Sequence, residues 1–188
     1  MKKLFLLFAL MLSVVAYSQT DENDEISEDF LIKVSGDTIR GKFKYKGGDG
    51  DIKNKISVKV NDTLKISLKA ADVKYFKEGK DEYIVFQPEG EKDHFFLKIW
   101  TLGKYLELYE WQVPLDLGGG SKIEFIPYIR KKGETKFTEM DHSYWKKALP
   151  EFIEDYEELA DDVWRGKYKI EQMGEVIQMY NEWKEDNK

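Results

Sequence analysis

The chain has 188 residues, with 36 acidic and 30 basic side chains, a net charge of −6, 14% aromatic residues and no cysteine. Without cysteine there are no disulfides, no thiol catalysis and no thiolate-held metal. The length and aromatic content suit one domain with a substantial core, and the charge is graded: residues 19–29 are acidic, 30–138 carry sixteen acids against twenty-one Lys or Arg, and 139–188 are acidic again.

At the start, Lys2 and Lys3 precede a mostly apolar Leu4 to Val15, then Ala16-Tyr17-Ser18 with small residues at the two positions a signal peptidase inspects. The apolar run is shorter than the roughly 20 residues a bilayer span needs. Residues 1–18 read as a cleaved secretory signal, with Gln19 as the new N-terminus. The mature chain is then exported, to the periplasm, the outer-membrane surface or the medium. Lipoprotein attachment has no cysteine to use. The leader QTDENDEISED, 19–29, has one strongly apolar residue and reads as a flexible lead-in.

From 30 to 139 apolar residues recur at every second position, the pattern of half-buried strands. Phe30 to Val34 leads through Ser35-Gly36-Asp37, a hairpin turn with Gly at the left-handed position, into TIRGKFKYKG. There Ile39, Phe43 and Tyr45 share one face, and Arg40, Lys42, Lys44 and Lys46 the other. Ile56, Val58 and Val60 alternate with Ser57 and Lys59 before Asn61-Asp62 turns the chain into Leu64, Ile66 and Leu68. The same alternation runs through 73–76, 82–87, 94–100, 104–112, 122–130 and 134–139. Such short connections favour an antiparallel meander.

The spacing changes to helical near Met140. Tyr144 to Ile153 predicts one helix, and Phe152, Tyr156, Leu159 and Val163 a second that Pro150 opens at its first turn. Ile170, Met173, Ile177 and Tyr180 predict a third. In EFIEDYEELADDVW, 151–164, half the residues are acidic. They surround an apolar stripe of Phe152, Ile153, Tyr156, Leu159, Ala160, Val163 and Trp164. Glu151/Asp155, Glu154/Glu158, Glu157/Asp161 and Glu158/Asp162 are like-charge pairs four apart, each costing a few tenths of a kcal/mol on a solvated helix. A solvated face, tolerated there or offset by a positive surface, explains them better than a catalytic pair. The basic strand face is the expected neighbour.

Two stretches imitate calcium loops. Asp161 with Gly166 matches the start of an EF-hand loop, but Val163 and Arg165 stand where oxygen ligands belong and Gln172 where a bidentate Glu is needed. Gly166 fits better as the left-handed residue after a helix. GGDGDI at 47–52 occurs once and has Ile52 where a final Asp belongs. His94 and His142, the two histidines, show no metal-ligand spacing, and GxSxG, P-loop and GxGxxG are absent. No catalytic residue, metal site or cofactor is assigned.

Two features carry binding potential. Arg40, Lys42, Lys44, Lys59 and Lys65, with neighbouring lysines at 46, 53, 55 and 69, form a basic strand face that suits an anionic glycan, a lipid headgroup or an acidic protein segment; edge protection and solubility are the plainer reading. Tyr105, Tyr109 and Trp111 share a face in KYLELYEWQ and, with Phe96 and Trp100 of the preceding strand, suit a platform for a sugar or apolar ligand, or a packed sheet face.

The ending AYSQ, the hairpin SGDTIRGKFKY, the run of short strands and the tail from LPEFIEDYEELADDVW to MYNEW together resemble secreted proteins of unknown function from Bacteroidota. In those, a β-rich region opening with a GDTI-x-GKI-like strand precedes a helical tail ending in YN. The resemblance implies an envelope or secreted location and no activity. Members often have Cys-Pro where this chain has Tyr156-Glu157, so no thiol role carries over.

The reading is one α+β domain: a signal at 1–18, a leader at 19–29, a β-rich body at 30–139 forming a meander of about eight to ten strands, as a sheet or partly closed barrel, and a helical tail at 140–188 of two to three helices packed on it. The expected function is a non-enzymatic exported envelope protein. Its partner is an anionic envelope component or another envelope protein, with no nucleic acid and no transmembrane span in the mature chain. The alternative is an Asp/Glu-dependent hydrolase acting on glycan.

Overall fold

The structure, a computed structural model, describes residues 29–44, 54–116 and 121–188. The expected signal, the leader up to Glu28 and GGDGDI lie outside them. β1 (Phe30–Lys33) and β2 (Thr38–Arg40) form the expected hairpin, with Gly36 at φ 93°. TIRGKFKYKG, read as one strand, is two. β2 ends at Arg40, and β3 (Lys42–Lys44) belongs to a second sheet with β4 (Lys55–Lys59) and β5 (Lys65–Lys69). Gly41 makes the break. Its φ is 154°, and a Cβ there would lie 2.4 Å from the Lys59 carbonyl oxygen, so only glycine lets the two strands pass this closely.

After a single 3-10 turn at Ala70–Asp72, the chain returns to the first sheet as β6 (Val73–Glu78), which pairs with β1. It then meanders through β7 (Asp81–Phe86), β8 (Phe95–Leu102), β9 (Leu106–Asp116), β10 (Ser121–Lys131) and β11 (Thr138–Glu139). The eight strands lie in the order β11-β10-β9-β8-β7-β6-β1-β2, every neighbour antiparallel, and the sheet is open at both ends. The fold is thus α+β with an antiparallel sheet rather than a barrel. Its meander is unbroken only from β6 onward. Pro127 sits inside the long β10 without harm: its carbonyl accepts from the Met140 amide beside β11, so its missing N–H faces that short edge and not the β9 ladder.

One face of the large sheet has two covers. At one end Phe43, Ile56 and Val58 of the small sheet pack against Leu31, Val73, Phe76, Tyr83 and Phe96. At the other, Leu106, Leu108 and Ile129 pack against the helices α1 (Trp145–Phe152), α2 (Glu157–Trp164) and α3 (Met173–Asp186), through Trp145, Leu149, Leu159, Val163 and Ile177. Each such aliphatic side chain contributes about 1.5–3 kcal/mol when fully buried. The opposite face carries an aromatic core in which Phe86 of β7 and Tyr128 of β10 meet at 5.1 Å, with Phe95, Trp111 and Phe137 around them. No helix among the described residues is long and apolar enough to cross a membrane.

The helix boundaries correct the sequence reading. Pro150 lies inside α1, in its last turn, instead of opening the second helix. Its ring denies the helix a donor, and α1 stops two residues later. The stripe of 152–164 is therefore split by a turn at 153–156, and Trp164 is 59% exposed. Glu151/Asp155 and Glu154/Glu158 straddle this break and are not neighbours on one helix. Gly166, at φ 74°, does end α2: its amide donates to the Val163 carbonyl and that of Lys167 to the Asp162 carbonyl, the Schellman arrangement.

Candidate functional site

The small sheet divides its residues cleanly. Register places Phe43 opposite Val58, Val58 opposite Ile66, and Ile56 opposite Leu68, all toward the core. On the other face Lys42 stands opposite Lys59 and Lys59 opposite Lys65, while Lys55 stands opposite Lys69. Ser57 and Ser67 fill the middle, their hydroxyls 3.4 Å apart. Strand spacing confines five ammonium groups to a patch of about 10 by 13 Å. Asp62 in the β4–β5 turn pairs with Lys59 at 2.6 Å. Like charges directly opposite each other destabilise a sheet. Edge protection accounts for lysines on β3 and β5, but not for Lys55 and Lys59 on the central strand. Lys44 pairs with Ser57 in backbone register, and Arg40 belongs to the large sheet, its guanidinium 5.5 Å above the Phe30 ring.

The aromatic platform is not a surface. Tyr105 precedes β9; its amide donates to Asn181 of α3 and its ring packs with the helices, so strand alternation does not reach it. Tyr109 is fully buried on the opposite face, where Trp111 meets Phe95 at 4.9 Å. Their register partners in β8 are Ile99 and Leu97, while Phe96 lies under the small sheet.

The sequence reading missed the group beside Tyr109. Glu107 is 1% exposed. Its carboxylate accepts from the Tyr109 hydroxyl at 2.8 Å, Arg130 Nε at 2.7 Å and Lys132 Nζ at 2.6 Å. Burial alone would push Glu107 up, but these three bonds and the Arg130 charge hold it below the usual carboxylate range. Arg130 also lies over the Phe137 ring at 4.7 Å. Every partner is satisfied, so this is an internal brace with no access for a reactant. Its only local signal is Glu107 standing on the Tyr109–Trp111 side of the alternation.

A groove of about 410 Å³ opens on the helix-side face. The β8–β9 register shifts between Ile99 and Thr101, leaving Trp100 as the extra residue of a bulge on the same side as Lys98. Trp100, 46% exposed, and Phe125, 48% exposed, line the groove with Pro127, Ile170, Glu110 and Glu171. His142 also reaches it, whereas His94 is half-buried just before β8. Burial pushes Glu110 up, against a Gln112 hydrogen bond and the Lys98 charge.

The acidic tail does not lie on the lysine sheet. Asp155 accepts from Lys184 at 2.6 Å and from the Tyr180 hydroxyl at 2.9 Å, Asp161 pairs with Arg165 and Asp162 with Lys167. Across the domain, Glu185 meets Lys104 at 2.8 Å. Asn181 clamps α3 to the sheet: Oδ1 accepts from the amides of Tyr105 and Leu106, and Nδ2 donates to the Leu106 and Ile177 carbonyls. In comparisons with known proteins, no family model, curated protein or solved structure matches the chain.

Proposed function

We propose that the chain is an exported, non-enzymatic binding protein of the cell envelope whose three-stranded lysine face takes a polyanionic envelope component. One observation supports this reading above others: the row Lys42–Lys59–Lys65, whose direct opposition works against the sheet and whose central Lys59 edge protection does not require. Asp62 offsets the charge of Lys59 alone, and a ligand with repeated carboxylates or phosphates would relieve the repulsion among the remaining lysines. The attraction is screened over about 10 Å at 0.1 M salt and about 3 Å at 1 M. The test is co-sedimentation of the full chain with polygalacturonate, and separately with phosphatidylglycerol vesicles against phosphatidylcholine vesicles. Binding to an anionic probe at 0.1 M salt, lost at 1 M and lost in Lys59→Glu/Lys65→Glu, is expected. Binding that survives charge reversal of Lys59 and Lys65, or no binding to either anion, overturns the reading.

A further inference from the structure

The groove beside the bulge has a chemistry opposite to that of the lysine sheet. Its apolar walls include Trp100, Phe125, Pro127 and Ile170, and its polar lining is Glu110, Glu124, Glu171 and His142, with no Lys or Arg lining it among the described residues. Two large apolar side chains stand open to solvent here, although exposed aromatics of this size are normally few and scattered. Among the described residues, the half-buried Glu110 has one hydrogen-bond donor, Gln112 Nε2 at 3.2 Å. Lys98 faces Glu110 in the β8–β9 register, but its ammonium is taken by Asp81 at 2.8 Å. A carboxylate drawn partly out of water between aromatic walls, sharing the Lys98 charge with Asp81, is only partly compensated.

We propose that this groove binds a small organic cation, with its ammonium group against Glu110 and its apolar body between Trp100 and Phe125. The indole face attracts a cation through its quadrupole while the apolar part covers the ring. Trp100 follows the alternation of Phe96 and Lys98, and Lys98 stands opposite Glu110, so strand and register together bring the indole to the Glu110 side. A bare metal ion does not suit walls that offer mostly carbon, and among the described residues no group of three His, Asp or Glu converges. The volume fits a molecule of about ten heavy atoms with room for water.

The experiment titrates 2-phenylethylammonium and its neutral counterpart 2-phenylethanol into the full chain near neutral pH, by calorimetry and by the indole N–H resonances. Saturable binding of the cation, about tenfold tighter than the alcohol, is expected, with the Trp100 resonance shifting. Glu110→Gln keeps shape and volume and should bring the two ligands within about twofold of each other; Trp100→Ala should weaken both. The Lys59→Glu/Lys65→Glu variant should bind the cation unchanged, so failure here and failure of the polyanion reading are separately visible. Equal affinity for cation and alcohol, a preference that persists in Glu110→Gln, or no Trp100 shift in the wild-type chain up to about 10 mM cation refutes the proposal, the millimolar range being the floor of specific affinity. The wild-type measurements decide the matter even if a variant fails to fold.

Discussion

Replacing Glu107 by Gln removes one charge from a group that is 1% exposed and keeps its volume. The Arg130 side chain retains 24% exposure and Lys132 53%, so Lys132 can turn to water while Arg130 stays tied between Tyr109 and Phe137. Removing one partner of a buried ion pair costs about 3–5 kcal/mol, and the partial exposure of Arg130 places the loss near 3. For a domain of this length that is a fall of about 6–12 °C in melting temperature. The pH dependence has a definite sign. Glu107 is held below its unfolded value of about 4.3, so its contribution is fully present above that value and is lost as pH falls through it toward the lower folded value. Thermal and urea melts of both proteins between neutral and acid pH should show a gap that closes on the acid side. Replacing Glu107 and Arg130 together by Leu should cost less than Glu107→Gln alone, because no uncompensated charge stays buried. A Glu107→Gln protein melting within about 1 °C of the parent at neutral pH, where about 0.5 kcal/mol is the noise of surface changes, would refute the brace.

Two further outcomes test the joints of the fold. Gly41→Ala places a Cβ against the Lys59 carbonyl oxygen and should lower stability by more than about 2 kcal/mol while weakening polyanion binding, as read by urea melts and co-sedimentation. Asn181→Ala leaves the Tyr105 and Leu106 amides without their acceptor and should cost about 2–3 kcal/mol, with hydrogen exchange rising at Tyr105 and Leu106 first; unchanged exchange there would show the clamp to be incidental.

Much of this architecture was legible because burial imposes a period. The alternation of Ile56, Val58, Ile66 and Leu68 predicts inward faces that the register confirms, and Gly166 after Trp164 announces a helix end that only a left-handed residue closes. What alternation leaves open is which sheet a strand joins. Phe43 points inward whether β3 extends β2 or begins a new sheet; the Gly41 junction and the packing of Phe43 on Phe76 decide it. The break between α1 and α2 was hidden because Phe152, Tyr156, Leu159 and Val163 keep helical spacing across a turn that Pro150 brings on. Glu107 was hidden for another reason: its cations come 23 and 25 residues later, on a strand whose register no local pattern specifies. The lysine face was visible as composition, but the direct opposition of Lys42, Lys59 and Lys65 required the pairing. Trp100 stood with Tyr109 and Trp111 in the sequence reading, but the register sets those two opposite Ile99 and Leu97 and leaves Trp100 on the other face with Phe96.

The two covers on one face also explain how a chain with net charge −6 keeps a basic surface. The small sheet packs chiefly on β1, β6 and β7 and the acidic helices on β9 and β10. From β6 to β9 is three strand spacings, about 14 Å. That exceeds the Debye length of about 8–10 Å at physiological salt, so the helix carboxylates do little to cancel the lysine potential. Several are committed in any case, Asp155 to Lys184, Asp161 to Arg165 and Asp162 to Lys167. Had the tail folded over the lysine sheet, the excess of bases in 30–138 would have been neutralised internally and the face would offer a polyanion nothing. Separation of the two charges across the sheet therefore keeps the lysine face and the acidic aromatic groove as distinct surfaces of opposite character.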